Sequence, residues 1–326
     1  MAEALRSRRC AKRALSVGRS SHTDLDMMTP EPSPRQTLTY LRNLMDSRRI
    51  RPKNKLGQNL LIDLNLLTVI VRTAELTRED LVLEVGSGTG GLTTRLAELA
   101  GAVLSVEIDS DFFELACEVV AGRPNVTLLH ADILKNKNTL NPDVLSKLAE
   151  LQKHSGCSRL KLVANLPYAV ATPVIANCLL SELVFERMVV MVQWEIAERF
   201  LARSGTKEYG ALSVLVQSLA HVETVRPRVS PAVFWPRPQV ASAILCIRPS
   251  VAKREHVGDV LRFRNFLRDL YTQRRKNLRG ALAGSPRGRR KKEDVDRELA
   301  KLGFDPRTRA EDLGIEQHLQ LCAAFG

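Results

Sequence analysis

The stretch LVLEVGSGTGGLT, residues 81–93, constrains this chain more than any other. A short apolar run ends on Gly86-Ser87-Gly88, and the helical pattern LTTRLAELA begins almost at once. Only a tight turn can carry a chain from a buried strand into a helix over so few residues. Glycines make such a turn possible because they adopt positive φ freely, and they let a ligand approach the backbone closely. Gly86, Gly88 and Gly91 satisfy G-x-G-x-x-G between a strand and a helix. That fingerprint serves both nicotinamide and S-adenosylmethionine enzymes, so alone it fixes the geometry and not the chemistry.

The neighbouring pattern repeats the same unit. Helix-like LLIDLNLLTVIVRTAEL precedes strand 81–85; strand 102–108, helix DFFELACEVVA, strand 126–130, helix DVLSKLAELQK and strand 160–164 follow. Short, almost wholly apolar strands alternating with helices predict an α/β fold: a parallel, Rossmann-like sheet covered on both faces. MVVMV (188–192) and VASAILCI (240–247) add later strands. Beyond residue 250 the pattern is helical and basic. From Arg264 to Lys292 there are eleven Lys or Arg against one acid, Asp269, which is more one-sided than an ordinary solvated helix face. The organisation expected is a basic N-terminal extension (1–50), a sheet domain (51–250) and a smaller, all-helical C-terminal domain (251–326).

With 326 residues, 44% of them hydrophobic, the chain can bury a substantial core. Its formal charge of +13 points to a polyanionic partner, and nucleic acid fits better than a membrane, for which no spanning run exists. Six dispersed cysteines form no Cys-x-x-Cys pair and no metal-ligand spacing, so reduced thiols, no metal and a cytoplasmic setting are expected. The N-terminal run of Arg6, Arg8, Arg9, Lys12, Arg13 and Arg19 against Glu3 also suits an RNA-binding arm or an organelle import signal.

Two acids give the glycine turn its chemistry. Glu107 ends the next strand, 21 residues after Gly86, where a carboxylate can accept both ribose hydroxyls of a nucleoside. Asp132 follows the third strand at the same sheet edge and can accept from an adenine amine; its bland alternative is a helix cap or turn residue. Glu84, two residues before Gly86, suits a methyltransferase better than a dehydrogenase. After the fourth strand comes Asn165-Leu166-Pro167-Tyr168. This is either turn chemistry or the site of amino-group methylation. An aromatic amine is a poor nucleophile, and an Asn oxygen with a backbone carbonyl beside Pro167 can accept its two N–H bonds and orient its lone pair. Tyr168 would stack on the extruded base. A dehydrogenase reading leaves this tetrapeptide and the basic tail without a role, and no hydride-transfer acid or base is evident.

KLGQNLLID, LEVGSGTGGLT, SVEID, HADIL, NLPY, VQWEIAERF, YGALSVLVQ, VFWPRPQVAS and YTQRRKNLRGAL stand in order from about Lys55 to Cys322. In this order and spacing the chain strongly resembles the ribosomal RNA adenine N6-dimethyltransferases of the small subunit. Leu60 stands where that family has Phe, Ala171 where it has a small hydroxyl residue, and Gln239 and Ala241 replace a Lys and an Asp. The resemblance implies S-adenosylmethionine as cofactor, held by Asn59, Leu61, Gly86, Glu107, Asp132 and Asn165. It implies handling of the target base by Asn165, Leu166, Pro167 and Tyr168, with Phe234 on the base's other face. Arg274, Arg275 and Lys276 are its candidates for phosphate contacts, against a solvated helix face. The partner implied is small-subunit rRNA in ribosome biogenesis, met by a monomer. Two other outcomes stay open: a relative acting on large-subunit rRNA, and a non-catalytic RNA-binding assembly or transcription factor.

Overall fold

The computed structural model describes residues 38–53, 56–286 and 289–326. Eleven strands run in chain order: β1 (Leu60–Leu61), β2 (Asp80–Val85), β3 (Ala102–Glu107), β4 (Val126–His130), β5 (Leu134–Asn136), β6 (Thr139–Leu140), β7 (Arg159–Asn165), β8 (Phe185–Gln193), β9 (Ala220–Val229), β10 (Phe234–Trp235) and β11 (Ser242–Pro249). Seven of them form one sheet in the order β4-β3-β2-β7-β8-β11-β9. The first five are mutually parallel. β11 runs antiparallel to both β8 and β9, so the expected parallel sheet carries an antiparallel flank.

Side-chain alternation explains why both faces are covered. On β2, Leu81, Leu83 and Val85 enter one apolar cluster and Val82 the other; on β8, Met188, Val190 and Val192 face one way, Val189 and Met191 the other. With a period of two, a strand buried on both faces is apolar at most positions, and the few polar residues it carries need partners. The two edge strands, β4 and β9, are only partly buried.

The helix expected to begin at Leu60 starts later. Asp63 caps it, accepting from Asn65 N and Leu66 N, and α2 runs Leu64–Thr73. Leu60 and Leu61 instead form β1, which pairs with Trp235 and Phe234. The segment read as a basic N-terminal extension packs on the core within its described part. Helix α1 (Leu38–Arg48) buries Leu41 and Met45, and Met45 and Ile50 pack on Phe112 and Leu115 of the helix Ser110–Val119. Residues 1–37, which carry the basic run, lie outside the described residues.

C-terminal helices Val260–Thr272, Leu278–Ala283, Lys292–Lys301 and Ile315–Phe325 complete the chain. Their buried Phe263, Phe266, Leu267, Leu299 and Leu321 join the cluster that holds Leu83 and Leu162 of the sheet. The boundary near residue 250 is therefore a change of element type within one continuous core. Among the described residues no helix is long and apolar enough to cross a membrane.

Candidate active site

β2 delivers its last residue into the glycine turn, and the helix Gly91–Leu99 takes the chain away again. Gly86, Gly88 and Gly90 have φ of 82°, 51° and 75°. Gly91, the third glycine of the sequence pattern, is merely the first helical residue; Gly90, the cap, has the left-handed backbone. Space is as restrictive as φ. A Cβ at Gly86 would stand 3.2 Å from the Pro167 ring, and one at Gly88 3.0 Å from Leu60. The turn is thus pressed between the Asn165–Tyr168 loop and the strap around Gly57–Leu61.

Parallel register places Glu107 beside this turn, because Val85 pairs with Val106. Glu107 Oε2 accepts from Gly88 N and Oε1 from Asp109 N, both at 3.0 Å. Each oxygen keeps a further lone pair for a hydroxyl donor. Burial pushes the Glu107 carboxyl upward, with the charge of Asp109 adding, and the backbone amides of Asp109, Gly88 and Ile108 oppose it. Behind the turn, Glu84 is 1% exposed. Its Oε2 accepts from Thr93 Oγ1 and Ser105 Oγ, each at 2.6 Å, while Oε1 has no partner. Burial, against the two hydroxyl bonds and with the charge of Glu107 adding, pushes Glu84 up to about 7.

Asn165 is the last residue of β7. Its Nδ2 donates to the backbone oxygen of Asn59 at 2.9 Å. Only an amide N–H can face a carbonyl, so Oδ1 is left as the unengaged acceptor. Pro167 O accepts from Val170 N and Ala171 N at the start of the helix Ala171–Leu180, while Leu166, whose carbonyl precedes that proline, lines the cleft. Leu166 itself is buried. Tyr168 Oη lies 2.6 Å from Ser242 Oγ, which fixes the ring. Burial, opposed by that bond, raises its phenol, so at neutral pH it is a rigid neutral ring and not a base.

Asn59, Gly86, Glu107, Asn165, Leu166, Pro167 and Tyr168 all line one open cleft. Leu61 and Asp132 do not line it. Leu61 packs toward the core beneath β1. Asp132 is exposed; its Oδ1 accepts from Leu134 N at 2.9 Å, as a turn residue does. Phe234 is 2% exposed within the apolar core, because β10 pairs with β1, and it presents no ring to a base. Arg274 is tied inward, donating to Glu311 Oε2 at 2.9 Å and to Lys207 O and Tyr209 O. Arg275 and Lys276 are exposed.

The contacts that hold the strap in place, unlike its Asn59 and Leu61, were not singled out by sequence. Asp109 accepts from Gln58 Nε2 at 3.1 Å and pairs with Lys53 Nζ at 2.8 Å, while it also caps the helix at Ser110. Burial raises its carboxyl, but Lys53, Gln58 and the Asp111 amide outweigh burial and leave it below the ordinary carboxylate range. Asp109 thereby latches the strap over the cleft. Its sequence signal was its place at the end of SVEID, two residues after Glu107.

Residues 49–323 match the sequence model of a family described as ribosomal RNA adenine dimethylase. A protein of Anoxybacillus flavithermus named ribosomal RNA small subunit methyltransferase A is 36% identical over 286 residues, 87% of this chain and 94% of that protein. Its namesake from Moorella thermoacetica is 38% identical over 289 residues, covering 87% and 95%. Among solved structures, a dimethyladenosine transferase from Plasmodium falciparum superposes with a TM-score of 0.65 at 25% identity, covering 82% of this chain and 97% of that one. The 23S rRNA methyltransferase ErmE superposes with a TM-score of 0.56 at 26% identity, covering 82% and 99%.

Proposed function

The chain belongs to the ribosomal RNA adenine dimethylase family, and on that premise we propose that it methylates adenine N6 twice in small-subunit ribosomal RNA, with S-adenosylmethionine as methyl donor, in the cytoplasm. The observation that carries this reading is the Asn165 amide, anchored through Nδ2 to Asn59 O with Oδ1 free at a cleft beside the glycine turn.

The residues fit the cofactor. Gly86 and Gly88 hold the positive φ that the tight turn needs and that lets a ligand approach the backbone, and Glu107 offers two oxygens already oriented by backbone amides. When bound, S-adenosylmethionine supplies an electrophilic methyl group. The chain's part is to make a weak nucleophile attack it. Asn165 Oδ1 and Leu166 O accept the two N6–H bonds, which draws the amine toward a pyramidal nitrogen and aims its lone pair. The Tyr168 ring, held by Ser242, receives the base taken out of its stack. After the first transfer one N–H remains, so one of these acceptors still orients the second. No strong base is required, because the nitrogen becomes acidic once alkylated.

Labelled methyl transfer to purified small subunits and to free rRNA, followed by nucleoside mass spectrometry, should yield N6,N6-dimethyladenosine in small-subunit RNA. Methylation confined to large-subunit RNA, or to another base or atom, overturns the reading.

A further inference from the structure

β9 is the outer edge of the sheet, and its register with β11 slips near its end. Ser242 faces Val229 and Ile244 faces Arg226, so three steps along β9 match two along β11. That is a bulge, a device that re-aims side chains at sheet edges. Arg228 lies within it at φ 46°, a left-handed conformation that destabilises any residue with a Cβ. The guanidinium consequently lies 5.1 Å from the centre of the Trp194 ring. Glu198 is 4.0 Å away on its flank, and 73% of the Arg228 side chain is exposed. An exposed cation–π pair returns little stability, so the strained bulge has no account in folding.

The pair adjoins the site. Trp194 follows the last residue of β8 and donates its backbone N–H to Ala241 O at 2.9 Å. The next residue, Ser242, is the partner that holds Tyr168. The indole Nε1 is buried without a partner, so packing alone holds the ring. We propose that Trp194 and Arg228 form a stacking subsite for the nucleobase next to the target adenine in single-stranded RNA. Trp194 supports the guanidinium from beneath, its outer plane takes the base, and its N–H edge faces that nucleotide's phosphate. Taking the adenine out of its stack leaves a neighbour uncovered, and an arginine plane can replace the lost partner. This rests on the proposed function, since it requires an RNA substrate at the Tyr168 cleft.

The probe is a single-stranded oligoribonucleotide with one adenine among uridines, compared by fluorescence anisotropy with a copy made abasic at the two flanking positions. Wild type should prefer the intact strand by about tenfold. Arg228→Ala and Arg228→Gly should lose that preference, and Arg228→Lys should lose it while keeping the salt dependence of binding. Arg228→Gly should also melt no lower than wild type, because glycine adopts this φ freely; a merely structural arginine would not combine equal stability with lost preference. S-adenosylmethionine affinity should be unchanged throughout. Equal losses on intact and abasic strands, no loss, or a wild type indifferent to the flanking bases overturns the proposal. Wild type that shows the preference yet methylates no small-subunit RNA overturns the function and leaves the stacking subsite standing.

Discussion

Asp80 and Glu84 lie on the same strand and are 0% and 1% exposed, yet their surroundings are opposites. Asp80 opens β2 at the amino end of the sheet. Its Oδ1 accepts from Arg159 Nε at 2.9 Å, and its Oδ2 from Thr77 N at 2.6 Å and Lys161 Nζ at 3.1 Å. Lys161, itself 1% exposed, divides its three protons among Asp80, Ala74 O and Glu75 O. Both oxygens there hold a charged donor. At the carboxyl end Glu84 keeps an oxygen without a partner, Glu107 keeps lone pairs beside the turn, and Asn165 keeps Oδ1. Buried charge alone therefore does not mark a site in this protein. Open acceptors gathered on one cleft, as at Glu107 and Asn165, do, because a ligand can complete them.

The largest effect expected is on the closed cluster. Lys161→Met leaves Asp80 buried beside one exposed-side arginine, which should cost about 3–5 kcal/mol of stability, with S-adenosylmethionine affinity unchanged. Denaturant unfolding and calorimetry test both halves, and a variant that keeps its stability but loses the cofactor breaks the contrast. Close behind comes Asn165→Ala. Removal of one transition-state acceptor should lower the single-turnover rate by about 10²–10³, at saturating cofactor, without loss of stability. A full rate would return Asn165–Tyr168 to the status of an ordinary turn.

Glu84→Gln tests the open end through pH. A carboxyl held near 7 in the fold and near the ordinary 4.5 in the unfolded chain keeps its proton longer when folded. Its contribution to stability is full below about 4.5 and is lost as pH rises to about 7. The variant should thus show a shallower fall of unfolding free energy between pH 5 and 8, by up to roughly 3 kcal/mol. Parallel curves for the two proteins would mean that Glu84 ionises normally. The smallest effect separates three adjacent cations. Replacing Arg275 and Lys276 together should reduce the salt slope of RNA binding by about one unit per lost phosphate contact. Arg274→Ala should leave the slope unchanged and lower the melting temperature, since its donors hold Glu311 and the Lys207–Tyr209 backbone.

Sequence reading went furthest where the cause is local. Strands at 126–130 and 80–85 were legible because doubly buried or regularly patterned β residues announce themselves over five or six positions. β9 was not. It follows the helix Ala211–Leu219 without a break, it is an edge strand exposed along much of its length, and Pro227 and three arginine or histidine side chains disrupt its pattern. Its place beside β11 comes from pairing, which no window of residues contains.

The same division runs through the site. The sequence determined the glycine turn, the acid after the second strand and the Asn-Leu-Pro-Tyr corner, because each is a backbone or chemical requirement met within a few residues. Tertiary structure decided which of these face one another and which lookalikes are already engaged. Phe234 is drawn into the core by the β1–β10 pair, and Arg274 is bound by a glutamate 37 residues further along. Asp109 gained its latch only when Lys53 and Gln58 folded back over it. A hydrogen-bonding group has a fixed number of valences, and which of them stay open depends on partners that only the folded chain brings within 3 Å or so.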